Sequence, residues 1–440
     1  MRIVKPLVLA CAAAAVAAVP ATAATPFRAP IKLTPTFGFG GYEPGLSVDK
    51  FGNILVTAHK QNHGDVVSPD TQSASGARTQ SWVWWSKDDG HTFAGPPGLT
   101  PAQEQTLEFG DEGDLSTDDA GHTYFVDTNV TDVTFTRWKS NGLGDLTLET
   151  TRPLLPAAEP VDDRPWVIAH GANTVLYLGN EGDTQTYPLG QQSGAGDASG
   201  PGRYTVYRSF DNGGTFDPTG YTLNDSGWCR PAWDRVPNDP RFVVFCTAQT
   251  AGNPRTNLYS FVSTDDGVTW TRHVAGTFNA KDPLNSTWPC ATIASDGTVY
   301  ALVDDHTTDA SGNITGTALT LFKSSDGGVT WTHRVLPSTK FTQYSWMDVA
   351  PDGSLGVAYY GRNATNQDWH LYAGVAPTTD GNPDYADLGE VASSAQTSPF
   401  GDFFETQFDR NSKLSVVWTV ENNDLQVEGL NSDIYYAHQQ

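Results

Sequence analysis

The chain is 440 residues long and carries 26 Lys and Arg against 50 Asp and Glu, a formal charge of −24. Such a surface repels nucleic acid and anionic lipid, so neither is an expected partner. At this length it could hold two or three average domains or one large all-β domain. Residues 1–23 read as a signal peptide: Arg2 and Lys5 precede an apolar run from Leu7 to Val19, and "ATA" at 21–23 offers a small-residue cleavage site. The run is too short and too Ala-rich to span a membrane, and no later apolar stretch approaches about 18 residues. An exported, soluble, extracellular protein is expected, with no membrane partner and no sign of an oligomer, hence a monomer. Three cysteines follow the leader, Cys229, Cys246 and Cys290. An oxidising compartment allows one disulfide, and Cys229 with Cys246, flanking an expected hairpin, is the preferred pair. No spacing suggests a zinc site.

Along the rest of the chain the sequence repeats itself. A strand, a Gly/Asp/Asn turn and a more hydrophobic strand recur at 43–58, 113–128, 164–179, 230–247, 289–305, 346–361 and 403–419. A spacing of roughly 50 to 70 residues suits one four-stranded blade each. A sharper pattern, Ser-x-Asp-x-Gly-x-Thr-aromatic, recurs as "SKDDGHTF" (86–93), "SFDNGGTF" (209–216), "STDDGVTW" (263–270) and "SSDGGVTW" (324–331). Its Asp and Ser can accept hydrogen bonds from turn amides, and its Gly supplies a positive φ.

This pattern resembles the Asp-box of the sialidase or BNR-repeat superfamily, whose members are β-propellers. The resemblance implies an all-β propeller, and the seven repeat units make it a single seven-bladed one over 24–440, with the six blades usual in sialidases as the alternative. Four blades carry the Asp-box turn, while "KSNGLGDL" (139–146) and "APTTDGNP" (376–383) are degenerate versions. The ring is expected to close through an N-terminal strand near 29–35 that joins the last blade, which removes an exposed edge. The Asp-boxes then lie on the outer rim of one face as structural clamps. Functional residues belong on the opposite face, where the starts of the innermost strands and the ends of the second strands gather around the axis.

The strand ends at that mouth contain Arg164, Arg230 and Arg362, whose planar forks could together hold the carboxylate of an acidic sugar. Asp163, Asp348, Glu43 and Tyr360 are the candidates for glycosidic-bond chemistry, in which an acid of raised pKa protonates the leaving group. His59 and His306 allow a different reaction, removal of the proton next to a uronate carboxylate. The wider set includes Asp114, Asp304, Tyr344, Glu405 and Glu421. Sialidases use three arginines, a Tyr–Glu pair and an acid/base Asp, and open their first inner strand near an arginine. Here that strand opens as "YEPGLSV" (42–48) with Glu43 in the arginine's place, and Arg28 of "FRAP" (27–30) falls in the closing strand. The expected function is a secreted, sialidase-like glycoside hydrolase acting on acidic glycans. The alternatives are a polysaccharide lyase cleaving a uronate polymer by β-elimination, and a non-catalytic propeller that binds glycan or protein. No cofactor is required for any of these, although oxygen-rich loops could hold a structural Ca²⁺ in the central channel.

Overall fold

The computed structural model describes residues 26–34, 41–59, 81–97, 112–128, 133–154, 165–181, 203–224, 228–249, 255–279, 289–309, 314–338, 340–362, 368–392, 404–421 and 432–440. All their regular structure is β-strand. β1 (Ile31–Lys32) is set apart from the strands that follow it. Blade 1 contains β2 (Tyr42–Val48), β3 (Ile54–His59) and β4 (Trp82–Ser86). Blade 2 contains β5 (Glu112–Thr117), β6 (His122–Thr128), β7 (Val133–Gly142) and β8 (Asp145–Pro153). Blade 3 contains β9 (Trp166–His170), β10 (Thr174–Glu181), β11 (Arg203–Ser209) and β12 (Tyr221–Leu223). In blade 4, β13 (Trp228–Pro231) is followed by β14 (Trp233–Asp234), which leaves to join blade 5, and then by β15 (Phe242–Gln249), β16 (Arg255–Ser263) and β17 (Thr271–Asn279). Blade 5 adds β18 (Cys290–Ile293), β19 (Val299–Thr308), β20 (Ile314–Ser324) and β21 (Thr332–Leu336) to β14. Blade 6 contains β22 (Phe341–Val349), β23 (Leu355–Arg362), β24 (Trp369–Ala376) and β25 (Asp384–Ala392). Blade 7 is β26 (Glu405–Phe408), β27 (Leu414–Glu421) and β28 (Ser432–His438), completed by β1. The seven sheets form a seven-bladed β-propeller.

The strand sequences follow from their place in a blade. β23, "LGVAYYGR", is buried at its first seven positions, because a middle strand packs against a neighbouring blade on each side. The outermost β25 and β21 instead mix exposed and buried positions, having solvent beyond them. β1 pairs antiparallel with β28, Ile31 opposite Tyr436 and Lys32 opposite Tyr435. Lys32 and Thr34 both reach Asp433, at 2.7 Å each. The two ends of the described chain therefore complete the same sheet. Cys229 and Cys246, directly opposite across β13 and β15, form a disulfide. Cys290 is buried and free; its thiol donates to the Met347 carbonyl at 3.1 Å and accepts from the Met347 amide at 3.2 Å.

The recurring eight-residue turn has one geometry in all four blades. In blade 5, Gly328 N–H donates to Ser324 Oγ at 2.8 Å, and Ser324 Oγ–H to Asp326 Oδ1 at 2.7 Å. Asp326 also accepts from the Thr330 amide at 2.8 Å and the Thr330 hydroxyl at 2.6 Å. These donors, the Thr330 hydroxyl first, hold the Asp326 carboxyl below its ordinary value. The same bonds recur around Asp88, Asp211 and Asp265. The invariant Gly has positive φ in each: Gly90, Gly213, Gly267 and Gly328. A Cβ there would strike Tyr436, Phe135, Leu176 and Val262 respectively, each a residue of the preceding blade. The turn is thus a clamp between blades as well as a bend within one.

Gly213→Ala is expected to destabilise the protein by about 2 kcal/mol or more, through strain at positive φ and displacement of the Phe135 ring. Urea denaturation of the purified variant measures this, and an unchanged midpoint would show that the turn does not clamp the blades.

Candidate active site

In every blade but the fifth the innermost strand is a sheet edge, and its axial N–H groups need acceptors. Four blades find them on side chains of the preceding blade. Leu46 and Val48 donate to Glu405 and Gln407 at 2.7 and 2.8 Å, while Val167 and Ala169 donate to Asp114 and Ser116, both at 2.9 Å. Ser345 donates to Asp304 at 2.9 Å and Phe408 to Asp348 at 2.7 Å. Blade 5 is served by backbone instead, through the parallel pairing of β14 with β18.

At the centre of this ring lies Arg230, from β13. Its guanidinium is held between the indoles of Trp166 and Trp346, 4.1 and 3.7 Å from the ring centroids. Nη2 donates to Glu405 Oε1 and lies 4.0 Å from Asp114 Oδ1. Burial raises both carboxyls, Asp114 further through the charge of Glu405, while Arg230 opposes the shift. Glu405 is the acid in direct contact with the cation, while burial and the neighbouring Glu405 charge make the Asp114 carboxyl hold its proton more tightly than an ordinary one. Five blades meet at this guanidinium, through Asp114, Trp166, Arg230, Trp346 and Glu405, and the Leu46 amide ties a sixth to it through Glu405.

A second group lies where β19 passes β22. The register of β22 breaks between Gln343 and Ser345, leaving Tyr344 at φ +49°. A bulky residue in that region is strained. The adjacent amide, Ser345, is the one that donates to Asp304, whose carboxyl burial pushes up to about 6. The Tyr344 ring meets Tyr360 edge-on at 6.4 Å, and Tyr360 meets Phe404 at 4.9 Å. β2 has a matching break between Tyr42 and Gly45, where buried Glu43 sits at φ +45°. At the end of β27, burial raises the Glu421 carboxyl. At the end of β23, Arg362 lies 5.4 Å from the Phe341 ring and 5.3 Å from Trp369, in no ion pair among the described residues.

Besides Glu43, Arg230 and Arg362, the sequence candidates fall into three groups. Asp163 and Arg164 lie outside the described residues. His59 and His306 are placed by backbone alone, opposite Tyr42 and Thr317. Asp348 and Tyr360 are engaged between blades. Asp348 accepts from Arg235, the Phe408 amide, the Thr292 hydroxyl and the Val349 amide. The Tyr360 hydroxyl accepts from the Thr419 amide at 3.2 Å and lies 3.5 Å from its carbonyl. Neither is therefore retained as a catalytic group. Arg230 takes Glu405 rather than its near neighbours in sequence, and no hydrogen bond among the described residues joins it to Arg362. The roles of Asp114 and Glu405 were missed because their partners lie in other blades. The available signal was an acceptor at alternate positions of an inner strand, Asp114/Ser116 and Glu405/Gln407. Among the described residues no group of three His, Cys, Asp or Glu could hold a metal ion.

No protein-family model matches the sequence, and no curated protein matches it. Similar solved structures include a protein of unknown function from Dyadobacter fermentans, 14% identical over 96% of this chain and 100% of that one, TM-score 0.49. An α-L-arabinanase of Penicillium chrysogenum is 11% identical over 95% and 97%, TM-score 0.43. The NanB sialidase of Streptococcus pneumoniae, as its K499G mutant, is 11% identical over 93% and 70%, TM-score 0.47.

The axial pair makes a pH prediction. Because the folded state raises the Asp114 pKa, its contribution to stability is full below the ordinary carboxylate range and is lost as pH rises through the folded value. Asp114→Asn, which can still accept from Val167, should flatten that decline. Denaturation midpoints across this range test it; equal slopes for both proteins would contradict the assignment.

Proposed function

We propose that the protein is an exported glycoside hydrolase that cleaves acidic, carboxylated glycans at the axial mouth. The observation that carries this reading is the juxtaposition of Asp304 with the strained Tyr344. A buried carboxyl raised to about 6 holds its proton in part near neutral pH, as a general acid must. In the proposed reaction Asp304 protonates the departing glycosidic oxygen as its bond to the anomeric carbon breaks, and a water then adds to that carbon and returns a proton to Asp304. Tyr344, together with the carboxylates of Glu43 and Glu421, stabilises the positive charge that develops on the sugar ring. Arg362, held by two aromatic rings and in no ion pair among the described residues, is the cation available to meet a sugar carboxylate. Arg230 is excluded from that role because its charge is already matched by Glu405. The scheme needs no cofactor.

The test is incubation with a panel of sialosides and uronate polysaccharides, following reducing ends and the ultraviolet absorbance of unsaturated uronates together. Reducing ends without new absorbance are expected. Rising absorbance would replace hydrolysis by elimination, and silence on every glycan would leave a binding propeller. On a substrate that is turned over, Asp304→Asn should lower kcat about 10²- to 10⁴-fold. The wild-type rate should fall as pH rises through about 6, where Asp304 loses its proton. Because protein and substrate are both anionic, kcat/KM on a polymer should rise with salt as repulsion is screened. A D304N variant of full activity would remove Asp304 from the mechanism.

A further inference from the structure

β22 carries one residue more than its pairing with β23 needs. Gln343 stands opposite Tyr360 and Ser345 opposite Tyr359, so Tyr344 is the extra residue of a β-bulge. Side chains alternate between the two faces of a strand, and residues three apart, such as Thr342 and Ser345, ordinarily point to opposite faces. Here the bulge removes that difference. Thr342 is opposite Gly361 and Ser345 opposite Tyr359, two apart on β23, so both lie on one face of β22. Their amides also turn toward the same neighbour, blade 5. Thr342 N–H donates to Thr317 Oγ1 on β20 at 2.7 Å, and Ser345 N–H to Asp304 Oδ2 on β19 at 2.9 Å. The left-handed backbone of Tyr344 is what the arrangement costs.

Thr342, Ser345 and Asp304 are all buried, at 2%, 3% and 3% exposure. Asp304 Oδ2 is committed to the Ser345 amide, which leaves Oδ1 to carry a transferable proton. Asp304 Oδ1, Thr342 Oγ1 and Ser345 Oγ are not taken by any other group among the described residues. Burial pushes the carboxyl up to about 6, and the Thr342 and Ser345 hydroxyls, followed by the Ser345 amide, pull against that rise. The hydroxyls act short of full hydrogen-bond geometry, which a bound substrate commonly tightens.

We propose that the bulge at Tyr344 places Thr342 and Ser345 as positioning residues for Asp304, their hydroxyls holding the carboxyl oxygen Oδ1 from which the proton is transferred. A hydroxyl suits both states of the acid. It accepts from Oδ1–H while the acid is neutral, and donates to Oδ1 once the proton has passed to the glycosidic oxygen. The second contact is charge-assisted and the stronger, so the pair favours the ionised form and eases release of the proton. The use of that proton in catalysis rests on the proposed hydrolase; the contact of the two hydroxyls with the carboxyl rests on β22 alone.

The experiment reads the Asp304 carboxyl directly. Full-length protein labelled with ¹³C at the Asp side-chain carboxyls is titrated by NMR, and the Asp304 signal is the one absent from Asp304→Asn. Thr342→Val keeps the shape of the side chain and removes its hydroxyl, while Ser345→Ala keeps the amide that donates to Oδ2. Each should raise the Asp304 midpoint by about half a pH unit or more. Thr342→Ser, which retains a hydroxyl, should stay with the wild type. An unmoved midpoint in either Thr342→Val or Ser345→Ala, or a shift in Thr342→Ser as large as that in Thr342→Val, would overturn the inference. Turnover is measured separately, and on a glycan that is cut the fall in rate near pH 6 should move up with the NMR midpoint. Moved midpoints without turnover of any glycan would keep the two hydroxyls and remove the hydrolase; turnover with unmoved midpoints would do the reverse.

Discussion

The whole ring depends on giving partners to the innermost backbone. In all blades but the fifth, the strand nearest the axis is a sheet edge whose inward N–H groups have no neighbouring strand, and a buried amide without an acceptor costs about 1–3 kcal/mol. The solution here is side-chain acceptors lent by the preceding blade: Glu405 and Gln407 to blade 1, Asp114 and Ser116 to blade 3, Asp304 to blade 6, Asp348 to blade 7. Seen this way, several acids near the axis are structural first. Their burial then has an electrostatic consequence, because a carboxyl placed to receive an amide in a dry interior is also one that holds its proton more tightly.

Arg230 resolves the sharpest part of that consequence. Glu405 and Asp114 are brought together by their separate duties to blades 1 and 3, and two buried negative charges would repel. One guanidinium between two indoles meets the Glu405 carboxylate, and the repulsion that remains raises the pKa of Asp114. The outer rim uses a different device. There the glycine of the repeated turn lets the preceding blade's side chain approach where a Cβ would otherwise be, as Phe135 does at Gly213.

Chemistry becomes available where these two devices leave strain or an uncommitted charge. Tyr344 and Glu43 hold left-handed backbone conformations in the inner strands of blades 6 and 1, which flank blade 7. Such conformations cost about 1–3 kcal/mol each and persist only where the surrounding packing enforces them. Arg362 differs from Arg230 in this respect: it lies beside the Phe341 and Trp369 rings and is in no ion pair among the described residues.

The sequence alone determined the elements that depend on neighbours in the chain. The four Ser-x-Asp-x-Gly-x-Thr-aromatic turns, the alternation of strand and turn in seven units, and the pairing of Cys229 with Cys246 across one hairpin all arise from contacts within about twenty residues. Much of the candidate site was not legible in that way. Asp348 and Tyr360 look catalytic as residue types in the right strands, yet their oxygens are taken by groups some 60 residues away, Phe408 and Thr419. Arg230 finds Glu405 across 175 residues. Sequence pattern fixes which face of a strand a side chain occupies, because that is a local period of two. Which of those side chains is consumed by an amide, a guanidinium or a ring of another blade is decided only when the ring closes and the innermost strands share one axis.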